Sequence, residues 1–296
     1  MDGMTLHKVQ ALWQAIRAAK VIDCNSSGGD VRTVEAAADD CMVDEAQPQS
    51  AAAVAAEAPE EKESLDFQLL TPTSPPAAGL RQYLQLTDPP SLHGYLGPMQ
   101  TSGRIFIRQS YREMATAVMQ AKYWSYITGN AGIGKSSFIL YLLFLISKLR
   151  SASSILWSSA FFKYTYLLQP DGQVLELPLS HDHTAKDGPA NFLIADAVAA
   201  PLSAQADGAK IVQLSSPHYQ FEKTVGKDDL FTTRFFSVWS ADEMRDAVSV
   251  LKDEMDPRLL AIVDEAAAPE GSNLEYAHKD NLQQVSFNTV PASSLQ

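Results

Sequence analysis

This chain is poor in the residues that staple a fold or hold a resident metal. It has 296 residues and 2 cysteines, Cys24 and Cys41, with no C-x-x-C pattern, which argues against a disulfide framework. There are 6 histidines, and their only close pair, His181 and His183, lies in a polar stretch beside Gly188-Pro189 that reads as loop. Positive charge is short: 23 Lys and Arg stand against 35 Asp and Glu, for a net charge of −12 and a pI of about 4.9. That balance gives no footprint for general nucleic-acid binding, which needs a basic face. Long apolar runs are missing as well. The stretch Phe138–Ile146 is too short to span a bilayer. The N-terminus carries no apolar signal core. Leu6, Val9, Leu12 and Ile16 recur there at helical spacing between Gln, Lys and Arg, which predicts a short amphipathic helix within 1–23. The expected location is therefore cytoplasmic, with no membrane span.

Residues 24–91 form a separate composition class, dominated by Ala, Glu, Asp, Ser and Pro. The run Thr71-Pro72-Thr73-Ser74-Pro75-Pro76 opposes regular structure, and few large apolar groups are present to offset the entropy of ordering. This acidic segment is expected to be disordered, with a folded domain over 92–272 and a tail over 273–296.

What the chain does have is a complete G-x-x-x-x-G-K-[ST] pattern: Gly129-Asn130-Ala131-Gly132-Ile133-Gly134-Lys135-Ser136, continued by Ser137. Its flanks fit the chemistry. Tyr123–Thr128 reads as a strand, and Ser137–Ile146 as a buried helix without Gly or Pro. In a strand–loop–helix of this kind, consecutive main-chain N–H groups cradle phosphate oxygens at a helix N-terminus. Lys135 is expected to reach the β- and γ-phosphates, and Ser136 to offer its hydroxyl to Mg²⁺. These residues predict binding of a nucleoside triphosphate with Mg²⁺.

Around the loop, Gly103–Arg108 reads as a short strand and Tyr111–Lys122 as a helix capped by Ser110. Ser154–Ser159 reads as a strand, and 161–168 with 173–178 as a hairpin turning at Pro170-Asp171-Gly172. Phe235–Trp239 reads as a further strand before a helix with a capping box, Ser240 and Glu243. The fold expected is α/β, a mainly parallel sheet with helices on both faces.

A phosphate-loop site also needs an acidic residue at a neighbouring strand end to hold Mg²⁺ or its water. Asp196 closes Phe192–Ala195, and Asp264 closes Leu259–Val263. Asp196 is preferred, because Ile211–Ser216 follows it and could present Ser215 or Ser216 to the γ-phosphate, whereas Leu259–Glu265 reads as the start of a helix after Pro257. Ala197 follows Asp196, so no adjacent glutamate stands ready to polarise water, and Glu222 is a base without support from spacing. Two functions remain open: Mg²⁺-dependent hydrolysis, with Lys135 and Asp196 as its catalytic residues, or a nucleotide-gated switch that meets a protein partner and scarcely hydrolyses. No Asn-Lys-x-Asp guanine-reading motif occurs, which favours ATP over GTP.

Four segments, in this order, carry a family likeness: Ile105–Tyr111, Tyr126–Leu143, Ile211-Val212-Gln213-Leu214-Ser215-Ser216-Pro217 and Val238–Met244. Together they resemble the NTPase module of Crinkler-type effectors of oomycetes and chytrids and of the retrotransposon hot spot proteins of trypanosomes. The resemblance implies an ASCE-type ATPase or GTPase core with Asp196 at the metal-site aspartate position. It also implies an effector role, and with it secretion into a host cell.

Overall fold

The computed structural model describes residues 5–24, 31–34, 81–90, 93–96, 103–121, 124–130, 132–162, 164–177, 190–198, 209–215 and 231–251. In chain order the described elements are α1 (Leu6–Arg17), β1 (Lys20–Cys24), β2 (Val31–Val34), β3 (Arg81–Gln85), α2 (His93–Leu96), β4 (Arg104–Phe106), α3 (Gln109–Gln120) and β5 (Trp124–Thr128). There follow α4 (Lys135–Leu149), β6 (Ile155–Ser159), β7 (Thr165–Leu168), β8 (Val174–Leu177), β9 (Phe192–Asp196), β10 (Lys210–Ser215), β11 (Phe231–Phe235) and α5 (Ala241–Leu251).

The larger sheet has seven strands in the order β11-β5-β10-β9-β6-β7-β8. Strands β11, β5, β10, β9 and β6 run parallel, while β7 and β8 turn back antiparallel as the expected hairpin. The parallel strands β5, β6 and β9 are buried along their whole length, as strands covered on both faces must be, and their sequences are correspondingly near-continuous apolar runs. Alternate residues then sort to opposite faces. Trp124, Tyr126, Leu156, Leu193, Ala195 and Ile211 form one layer. Ile127, Ile155, Trp157, Ile194, Val212 and Leu214 form the other, together with α1, α3 and α4. Helices were expected on both faces, and among the described residues they cover one.

Helix α4 lies at the centre. Every residue from Phe138 to Ile146 is buried, so it has no solvated face. Helix α1 packs on it through Val9, Leu12, Trp13 and Ile16. Helix α1 also clips the hairpin. Gln10 Nε2 donates to Gly172 O at 2.6 Å, Val174 N donates to Gln10 Oε1 at 2.8 Å, and Trp13 Nε1 donates to Gln169 O at 3.0 Å.

The smaller sheet is four-stranded and antiparallel, in the order β2-β1-β3-β4. Strands β2 and β3 fall inside the segment expected to be disordered, and the folded elements begin at α1 rather than near Leu92. The rest of 24–91 and the tail 273–296 lie outside the described residues. Helix α5 packs on this sheet, with Ala247 and Val250 against Phe106. The expected strand over Phe235–Trp239 is displaced: β11 is Phe231–Phe235, and the next residues cross the end of the sheet. Its neighbour on the sequence behaves as expected, since Ser240 N donates to Glu243 Oε2 and Glu243 N to Ser240 Oγ, each at 3.1 Å.

If α1 belongs to this core, truncating it inside should destabilise the whole. Leu12 is fully buried, and Leu12→Ala is expected to cost about 3 kcal/mol. Urea denaturation followed by circular dichroism should give a single transition at a lower midpoint. An unchanged midpoint would show that α1 is dispensable.

Candidate phosphate-loop site

The loop from Gly129 links β5 to α4 at the carboxyl edge of the sheet, where open parallel sheets gather functional groups. Two of its residues take left-handed backbone: Gly132 at φ +76° and Gly134 at φ +95°. Gly134 is also the residue immediately before α4, and a Cβ there would sit 2.2 Å from Tyr111 Oη. Both constraints call for glycine.

The loop is pinned from outside. Tyr111 Oη donates to Gly134 O at 2.8 Å, and Arg108 Nη1 donates to Ile133 O at 2.9 Å. Lys135, at the first helical position, folds back so that its ammonium donates to Gly129 O at 2.6 Å and Asn130 O at 2.8 Å. Burial lowers the Lys135 pKa, and the charge of Asp196 works against that shift. Asn130 is exposed, and Ser136 and Ser137 are half-buried on the first turn of α4. Ala131 lies outside the described residues.

Asp196 ends β9 on the face that α4 covers, the face of Ile194. Ser136 Oγ donates to Asp196 Oδ2 over a long 3.4 Å. Two further donors converge on the same oxygen: Tyr95 Oη at 3.0 Å and Ser159 Oγ at 3.4 Å. Asp196 is only 4% exposed. Burial raises its pKa from the ordinary carboxylate value, and the bonds from Tyr95 and Ser159, the charge of Lys135 and the bond from Ser136 only partly oppose this. A desolvated carboxylate beside a hydroxyl is a hard-oxygen pair short of positive charge. That suits Mg²⁺, which takes one or two protein oxygens and completes its shell with water and phosphate. No group of three His, Cys, Asp or Glu exists among the described residues, so the pair does not form part of an all-protein cage there.

Ala197, directly after Asp196, is one of two non-glycine residues with positive φ among the described residues, at +56°. Its N–H donates to Leu214 O at 2.8 Å, and Asp196 O accepts from Ala160 N at 2.9 Å. These bonds hold a conformation that costs about 1 kcal/mol or more and fix the carboxylate at the mouth of the loop.

Ser215 is placed elsewhere. It shares the face of Ile211 and Gln213, opposite to Asp196, and its hydroxyl is bonded to Tyr126 Oη. It does not join Lys135, Ser136 and Asp196. Ser216, Glu222 and Asp264 lie outside the described residues. Sequence reasoning missed Tyr95, Ser159, Arg108 and Tyr111. Ser159 was within reach: it ends a strand already read as such, and β6 pairs in parallel with β9, setting Ser159 opposite Asp196. Tyr95 had no signal, being on a helix of 4 residues, where its ring packs among Trp157, Phe161 and Phe162.

No protein-family model and no curated protein matches this chain.

Two outcomes follow from this geometry. Gly134→Ala is expected to destabilise the fold by about 2 kcal/mol, from left-handed strain and the clash with Tyr111, as read by chemical denaturation. Asp196→Asn should act in the opposite sense. The folded carboxyl holds its proton to higher pH than the unfolded one. Between those two values the folded state binds more protons, so stability falls as pH rises through that window and stays reduced above it. In chelator-containing buffer, Asp196→Asn should therefore raise the melting temperature at neutral pH and flatten its decline with pH. A lower melting temperature would mean that the carboxylate is net stabilising.

Proposed function

We propose that this protein is a phosphate-loop NTPase that binds a nucleoside triphosphate, ATP in preference to GTP, and hydrolyses it with Mg²⁺. One observation carries the reading. Lys135 and Ser136 on the first turn of α4 meet Asp196, a buried carboxylate 60 residues along the chain, with Ser136 and Asp196 3.4 Å apart. The glycine-bearing turn directly precedes that helix. A helix start offers N–H groups without intrahelical partners, which favour an anion.

In this reading, Lys135 leaves the carbonyls of Gly129 and Asn130 to neutralise the β- and γ-phosphates, and regains the charge partner that its half-buried position lacks. Ser136 and Asp196 would hold the metal, whose chemistry when bound would be to offset negative charge on the phosphates. Tyr95 and Ser159 orient the carboxylate. Strand β10 lies between the loop strand β5 and the carboxylate strand β9, in keeping with the ASCE-type core that the Crinkler and retrotransposon hot spot likeness implies. Two of the segments carrying that likeness also meet, through the Arg108–Glu243 pair at 3.1 Å. An effector role and a host-cell destination rest on that likeness alone.

A second reading, a nucleotide-gated switch with little turnover, has its own support. The residue after Asp196 is alanine rather than a second carboxylate.

A phosphate-release assay with ATP and Mg²⁺ separates the two. The enzyme reading expects turnover that Lys135→Ala lowers by about 100-fold or more. It also expects Asp196→Asn to weaken Mg²⁺ dependence more than Asp264→Asn does. Tight ATP binding with no release in the wild type would establish the switch. Affinity that Lys135→Ala leaves untouched would remove both readings.

A further inference from the structure

We propose that Arg108 and Tyr111 are positioning residues that aim the main-chain N–H groups of Gly134 and Lys135 at the bound polyphosphate. The inference rests on the nucleotide-binding reading above. A peptide unit is planar, and in a trans peptide its C=O and N–H point in opposite directions. Fastening one therefore aims the other. The Ile133 carbonyl is fastened by Arg108 Nη1 at 2.9 Å, so the Gly134 N–H in the same plane is directed away from the guanidinium. The Gly134 carbonyl is fastened by Tyr111 Oη at 2.8 Å, so the Lys135 N–H is directed away from the phenol. Left-handed Gly134 followed by helical Lys135 is the alternation that turns consecutive N–H groups into an anion-binding concavity.

Arg108 is built to hold its place. It is fully buried, and its donors are shared among Glu243 Oε1 at 3.3 Å, Glu243 Oε2 at 3.1 Å, Ser237 O at 3.1 Å, Val238 O at 3.1 Å and the loop. Its guanidinium also lies 4.2 Å from the centre of the Trp239 ring. A buried guanidinium is costly unless every side is paired, and this one is paired from both ends of the site. Tyr111 is held by Phe138, Tyr141 and Phe236. Both residues flank the start of α3, so a single rigid junction sets two consecutive peptide planes of the loop.

The test uses the full chain and two probes with Mg²⁺, ATP and pyrophosphate. The second has no base or ribose and reads the phosphate contacts alone. Tyr111→Phe deletes one hydroxyl and keeps the ring. Glu243→Gln keeps the size and the helix-capping acceptor but leaves Arg108 without its counter-charge. By calorimetry, Tyr111→Phe is expected to weaken both probes by the same factor, about fivefold. By NMR, pyrophosphate should move the Gly134 and Lys135 amide protons of the wild type downfield. Tyr111→Phe should reduce the Lys135 shift and spare Gly134, and Glu243→Gln should reduce the Gly134 shift. A merely structural role would not divide the two amides in this way. Should Glu243→Gln fail to fold, Tyr111→Phe alone decides. Binding of both probes within twofold of wild type, with unchanged amide shifts, overturns the proposal. If that result comes while Lys135→Ala abolishes ATP binding, the positioning role fails and the nucleotide site stands. If Lys135→Ala also binds ATP as the wild type does, both fall.

Discussion

A helix that is apolar on every side cannot rest on a surface, and α4 imposes that condition on this chain. Its burial from Phe138 to Ile146 requires the sheet beneath it and α1 and α3 around it, all in the same apolar cluster. Burying a helix also buries its ends. The N–H groups of the first turn lack partners within the helix and must find acceptors or face an opening. Here those groups lie at the glycine turn on the carboxyl edge of the sheet. The same burial that stabilises the core thus gathers polar groups at its edge, and Arg108, Tyr111 and Asp196 around them all belong to elements that pack on α4 or beside it.

This edge is electrically unbalanced. Asp196 and Lys135 feel each other's charge, and burial works against the charge of both. Each is only partly compensated by the other and by nearby hydroxyls and carbonyls. A metal–polyphosphate ligand would supply what each lacks, a cation for the carboxylate and an anion for the ammonium. The left-handed Ala197 is a further cost carried at the same place, while the buried Arg108 is offset by its pairing with Glu243 and the carbonyls around it.

The strand, glycine turn and helix around Gly129–Ser136 were legible because their signals are local: glycine where backbone freedom is needed, and apolar runs of the right length. The parallel strands were legible for the same reason. Other features depend on distant partners. Strand β1 pairs with β3 across residues that read as a linker, so Lys20 meets Gln85 and Cys24 meets Arg81. The apolar run Phe235–Trp239 resembled a strand, yet Phe236 packs on Phe138 and Trp239 lies beneath Arg108, while the plainer Phe231–Phe235 forms the edge. Ser215 was read by its position at a strand end, without counting faces. Alternation from Val212 and Leu214 already sends it to the far side of the sheet.

The clip between α1 and the β7–β8 hairpin bears on a different property. Strand β8 is the last strand of its sheet, and an edge offers unpaired main-chain groups to any other chain that can extend the ladder. Gln10 occupies part of that edge, with its amide bonded to Gly172 O and Val174 N as a neighbouring strand would be. A side chain on a helix thereby imitates a strand without being able to propagate one. Helix α1 thus covers part of one of the two edges of an open sheet, and shedding it would bare the Gly172 carbonyl and the Val174 amide to any strand able to pair with them.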